Sequence, residues 1–196
     1  IGQVHDAEVI FYVQTTRTKV AFRPSSVTVV SDDGMGHPVR TTVWFSGSNL
    51  VSPEGMHKKT HVVNYFIGSE QYTGIPTYDE VIYRNLYDGI DLRYYMTEQG
   101  LKSEFVVHPG ADPHLISVQV EGGSLSVSPD HVTVKVGEKT AYGETNLLVL
   151  QGNHRVDAGF VQTGTDSYGF RIGDYDVHRT LIIDPIVITM SGFIGG

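Results

Sequence analysis

The chain has 196 residues, with 14 Lys and Arg set against 22 Asp and Glu for a formal charge of -8. It carries no basic run able to neutralise a row of phosphates, so nucleic acid is not an expected partner. Cysteine is absent, which excludes disulfides, thiolate metal centres and a cysteine nucleophile.

A hydrophobic fraction of 40% and a charged fraction of 18% suit a chain that buries a continuous core. Twenty-two glycines, eleven tyrosines and eight phenylalanines without a short period favour sheets and tight turns. In chain order, residues 9–14, 19–23, 27–30 and 41–46 read as the first strands, and 31–38 as an exposed hairpin tip with Asp32, Asp33, Gly34 and Gly36. Residues 61–67, 80–83, 91–96 and 101–107 follow, separated by 68–76, 88–89 and 98–100. The last separator predicts a tight hairpin of adjacent antiparallel strands. Residues 78–86 fit helical spacing through Val81, Ile82 and Leu86, yet Tyr83 and Tyr87 make a strand equally natural.

A Pro-Gly-Ala-Asp-Pro loop at 109–113 interrupts any ladder. Beyond it, period-two alternation is clean: Ile116, Val118 and Val120 share one face, as do Val132, Val134 and Val136. Residues 147–150, 155–161, 168–172 and 181–190 complete about fifteen strands, the spacing of an antiparallel β-sandwich with little or no helix. Two packed β-subdomains are expected, an aromatic-rich 1–110 and a Val-rich 111–196 with an apolar C-terminal strand. The longest apolar stretch, 181–190, is broken by Asp184 and Pro185 and falls short of the roughly 20 residues of a membrane-spanning helix.

The segments NYFIG, LYDGIDLRYY, EFVVHPGADP, YGFRIGDYD and LIIDP, together with Gln3, Val4 and the strand after them, resemble the N-terminal domain of secreted bacterial and archaeal proteins that carry β-propeller repeats of the SBBP type. The likeness covers nearly the whole chain, and SGFIGG at 191–196 is similar to the first residues of such a repeat. LKSEF departs from the more acidic and aromatic lead-in of that pattern. The resemblance implies an exported, cell-surface, all-β module with no catalytic residue to carry over; an opening on Ile1 fits removal of a leader.

Candidate chemistry is sparse. His57 and His61 stand four apart, but a zinc site needs further converging ligands, and solvated histidines are the simpler reading. The acidic turns Asp32–Asp33–Gly34, Asp88–Gly89–Asp91 and Asp174–Asp176 offer oxygen ligands for a structural Ca²⁺ without the spacing of an EF-hand; hydrogen bonding within their own turns is the commoner role. No cofactor is expected. Neither a Gly-x-Ser-x-Gly elbow nor a phosphate loop is present, and the chain reads as non-enzymatic. Tyr83, Tyr94 and Tyr95, in a tyrosine-rich region, could stack on carbohydrate, although neighbouring tyrosines more often pack across a sheet.

The C-terminal strand supplies the sharpest expectation. Leu181, Ile182, Ile183, Ile186, Val187, Ile188, Phe193 and Ile194 form an apolar segment that, at a sheet edge, would template pairing with another copy; the alternative is an internal strand of the sandwich. The expected function is a self-assembling, extracellular subunit of a sheath, filament or surface layer. A monomeric carbohydrate-binding adhesin is the alternative.

Overall fold

A computed structural model describes residues 8–14, 18–32, 37–67, 70–98 and 100–189. Among these residues, sixteen strands form two antiparallel sheets. They are β1 (Phe11–Gln14), β2 (Thr18–Phe22), β3 (Ser26–Asp32), β4 (Pro38–Phe45), β5 (Glu54–Ile67), β6 (Glu70–Tyr87), β7 (Ile90–Thr97), β8 (Gly100–Val107), β9 (Val118–Glu121), β10 (Ser124–Ser128), β11 (His131–Val136), β12 (Lys139–Gln151), β13 (His154–Arg155), β14 (Ala158–Gln162), β15 (Ser167–Ile172) and β16 (Leu181–Thr189). The first sheet runs β1-β2-β3-β4-β9-β15-β14, and the second β10-β11-β12-β16-β8-β7-β6-β5, with β13 beside β12. A 3-10 turn at Pro113–Leu115, capped by the Asp112 side chain on the His114 N–H, is the one helical element among the described residues.

Alternation of apolar and polar residues decides which face of each strand is buried. Val20, Phe22, Val27, Val29, Val43, Phe45, Phe160 and Phe170 of the first sheet meet Tyr83, Leu92, Tyr94, Phe105, Val134, Leu181 and Ile183 of the second in one core. The sheets interlock through edge-on aromatic pairs, Phe22 with Tyr94 at 5.2 Å, Phe45 with Tyr83 at 5.6 Å and Phe105 with Phe170 at 5.8 Å. Two tyrosines also peg one sheet to the other. Tyr83 donates its hydroxyl to the Arg23 carbonyl and Tyr87 to the Ser117 carbonyl, each at 2.9 Å. Burial pushes the Tyr87 hydroxyl up to about 12, so it remains a donor at any physiological pH.

The hairpin expected at 98–100 joins β7 to β8, with Met96 opposite Leu101 and Thr97 opposite Gly100. Asp88 and Gly89 form the two-residue turn between β6 and β7, where Gly89 adopts a φ of 73°. Residues 78–86 lie within strand β6. Asp32 pairs with Pro38 at the base of the expected β3–β4 tip, whose residues 33–36 lie outside the described set.

Two expectations need correction. The division at residue 110 does not separate two cores, because each sheet takes strands from both sides of it and one buried cluster spans both. The C-terminal segment is not a free edge either: β16 lies between β12 and β8, with Ile183 opposite both Val149 and Phe105 and Ile186 opposite both Thr145 and Lys102. Leu181 and Ile183 are fully enclosed and Val187 is buried. The apolar run that suggested an edge is what a central strand needs when other elements cover it. Phe193 and Ile194 lie outside the described residues.

The strand β5 forms the far margin of the second sheet. Over Lys58–Ile67 its pairing among the described residues is with β6 alone, at Glu70–Tyr78, so the two make a ribbon beyond the ladder that β6 shares with β7 over Glu80–Tyr87. His57, Lys58, Lys59, Thr60, His61 and Val62 are all exposed there.

Candidate functional site: the outer face of the first sheet

The alternation Val43-Trp44-Phe45 in β4 sends Val43 and Phe45 inward, 3% and 5% exposed, and turns Trp44 outward at 40%. Trp44 is the only tryptophan in the chain. Antiparallel pairing sets Gln119 of β9 opposite Trp44 and Glu121 opposite Thr42, so both polar side chains stand on the same outer face. The indole N–H donates to Glu121 Oε2 at 3.1 Å, which fixes the ring's orientation. Ser46 Oγ donates to Gln119 Oε1 at 3.2 Å.

Gly122 and Gly123 then turn the chain, and the carbonyl of Asp166 accepts from the Val120 N–H at 2.8 Å. Gly122 has a φ of 102°, and a Cβ there would sit 2.3 Å from the Arg40 carbonyl oxygen, so the floor of the turn requires glycine. Trp44, Gln119, Val120, Glu121, Gly122, Gly123 and Asp166 line an open depression of about 400 Å³. An exposed aromatic platform ringed by amide and carboxylate acceptors suits a flat polyhydroxylated ligand, whose C–H face meets the ring while hydroxyls reach the rim.

The outer face of the second sheet is built differently. Lys102 Nζ lies 2.6 Å from Asp184 Oδ2. Glu104 Oε2 accepts from Arg93 Nε at 2.7 Å and from Arg93 Nη2, while Glu104 Oε1 accepts from the Tyr95 hydroxyl. Glu104 and Asp184 are only 6% and 9% exposed. Burial holds the Asp184 carboxyl above its ordinary range, and Lys102 offsets part of that rise. Apart from Asp184 Oδ1, which is buried without a hydrogen-bond partner among the described residues, these groups are engaged with one another and leave little to offer a ligand.

A third cluster lies between the sheets. Glu144 of β12 is 5% exposed and accepts from the Tyr142 hydroxyl at 2.6 Å; its other oxygen and the buried Tyr168 hydroxyl have no hydrogen-bond partner among the described residues. Burial pushes the Glu144 carboxyl up to about 7 from an ordinary 4.5, and the Tyr142 bond pulls it back only in part.

The expected tyrosine platform is not formed. Tyr83 and Tyr94, 0% and 7% exposed, belong to the core and cannot stack on a sugar, and Tyr95 is engaged with Glu104. Tyrosines alternating along β6 and β7 read the same whether their face is wet or dry. Trp44 was missed, although the signal was legible: a lone tryptophan between two core-facing apolar residues must point outward. His57 Nδ1 faces Glu80 Oε1 at 3.3 Å, and no group of three or more metal-ligating side chains occurs among the described residues. Asp91 accepts from the Asn85 N–H and contacts the more distant His108 Nε2, Asp88 accepts from the amide of Asn49, 39 positions away, and Asp176 accepts from the His178 N–H within its own turn.

Fold and faces together define an all-β sandwich with a solvent-facing tryptophan depression on one sheet. The chain belongs to the family described as domain of unknown function DUF7948, which matches residues 1–186. No curated protein and no solved structure matches it.

Proposed function

We propose that this domain is a non-catalytic, extracellular recognition module that holds an uncharged saccharide on the outer face of its first sheet. One observation carries the reading: Trp44 is exposed, oriented by Glu121, and set in a depression rimmed by Gln119 and Asp166. The two carboxylates favour neutral sugars, whose hydroxyls donate to them, and repel sialylated or sulfated ones. An exported, cell-surface setting, which the sequence resemblance implies, would bring such glycans within reach.

The test uses the single tryptophan as its own reporter. Titrating neutral oligosaccharides against the purified chain is expected to shift the indole emission, and a glycan array is expected to light up for the wild type and stay dark for Trp44→Ala. Silent fluorescence together with an array pattern untouched by the substitution would reject the assignment.

A second reading, assembly with copies of itself, is favoured by the β5 margin. Here the working edge moves from β16 to the ribbon of β5 and β6, where exposed strand lies outside the shared ladder. Negative-stain imaging and sizing against a variant with the ribbon shortened between Lys58 and Tyr78 tests it; assemblies that persist without the ribbon exclude this edge.

A further inference from the structure

The pair Lys102 and Asp184 joins strands whose residues are 82 positions apart in the chain. It ties β8 to β16, the strand on which both halves of the second sheet meet. The Lys102 amine touches the Asp184 carboxyl at 2.6 Å, and the two side chains keep 19% and 12% of their exposure. Asp184 Oδ1 is buried and has no hydrogen-bond partner among the described residues. The register of Ile183 with Phe105 and Ile186 with Lys102 sets Asp184 beside Glu104, whose own oxygens are held by Arg93 and Tyr95.

A carboxylate with one unrelieved oxygen, screened from water and lying beside a second carboxylate, is poorly stabilised as an anion. Its contact amine is the nearest source of a proton. Transfer of that proton yields a neutral amine against a neutral acid, which is the reactive form of both partners. We propose that Lys102 and Asp184 condense into a side-chain amide that covalently bridges β8 and β16. In the step, the Lys102 nitrogen lone pair forms a bond to Asp184 Cγ and the Cγ–hydroxyl bond breaks. The hydroxyl leaves with the second proton shed by nitrogen, so an ammonium and a carboxylate become one amide and one water. No oxidant or other co-reactant is needed. Glu104, fixed by Arg93, acts as a positioning residue beside Asp184 and favours its acid form. The bridge would give a cysteine-free chain the covalent tie that disulfides provide elsewhere.

Intact mass spectrometry of the full chain under denaturing conditions tests this directly. The wild type is expected to be one water lighter than its sequence, and proteolysis is expected to release a branched peptide joining Lys102 to Asp184. Lys102→Arg, which keeps the charge and the ion pair, and Asp184→Ala are each expected to restore the full mass, with circular dichroism confirming that the Arg variant is folded. Glu104→Gln is expected to lower the bridged fraction, a readout that a purely structural role would leave unchanged. A folded wild type that retains its full sequence mass after prolonged incubation overturns the proposal. So does a water lost instead at Asp33–Gly34 or Asp88–Gly89, the two Asp-Gly steps of the sequence, through succinimide formation.

Discussion

The two outer faces of the sandwich use similar side chains to opposite ends. On the first sheet, Trp44, Gln119, Glu121 and Asp166 all stay exposed, and the one bond between the indole and Glu121 orients the ring without consuming the site. On the second sheet, Arg93, Tyr95, Lys102, Glu104 and Asp184 are taken up by each other, and the two carboxylates are screened from water. Polar residues at a surface can recognise a ligand only while their bonding capacity stays open. Once neighbours fill it, the same chemistry braces the sheet.

Substitutions can break or sharpen that contrast, and the largest effect is expected where enclosure is most complete. Glu144 has a raised carboxyl in the fold, so its protonated form favours the native state: the contribution is full below the ordinary 4.5 and is lost as pH rises through about 7. The unfolding free energy of the wild type, read from urea titrations, should therefore fall across that window by up to ~3 kcal/mol, since each tenfold change in proton affinity is worth about 1.4 kcal/mol. Glu144→Gln should be much flatter there, keeping only the smaller slope of Asp184, whose carboxyl burial also raises. The carboxyls of Asp112 and Asp157, held low by His114 and Arg171, titrate below 3.8 and do not confound the window.

Next in size, Glu104→Ala strips Arg93 and Tyr95 of their shared acceptor and should cost about 2 kcal/mol in chemical denaturation, less than a fully buried pair because Arg93 keeps some contact with water. Trp44→Ala on the opposite face should move stability by less than about 0.5 kcal/mol while weakening saccharide binding roughly tenfold or more, measured by calorimetry. Glu121→Ala should be gentler still, barely altering the denaturation midpoint and lowering affinity a few-fold. If Glu121→Ala destabilised the chain as much as Glu104→Ala, the division between an open face and a braced one would fail.

Much of the architecture was legible along the chain because its signals are local. The turn between Met96 and Leu101, the Asp88–Gly89 turn and the alternation of Val132 and Val134 each lie within one hairpin or one strand, whereas Val136, past the register shift after Val134, is exposed instead of sharing their buried face. The place of β16 was not legible, since an apolar run is the same string whether its flanks are paired or bare, and its partners β12 and β8 are set by long-range closure. The same holds for the site. Trp44 and Glu121 lie 77 positions apart and Lys102 and Asp184 82 apart, so only the register of distant strands brings them together. The tyrosines misled because composition reports how many aromatics a region holds and not which side of the sheet they occupy.

The central place of β16 also governs the order of events when the polypeptide is made. The strands β10 to β12 and the strands β5 to β8 have no ladder between them until residues 181–189 arrive, so the second sheet cannot be completed from the earlier chain alone. Closure across such sequence distances is slow compared with local hairpins. A nascent chain of this design therefore holds two separate sets of paired strands until its final described strand joins them.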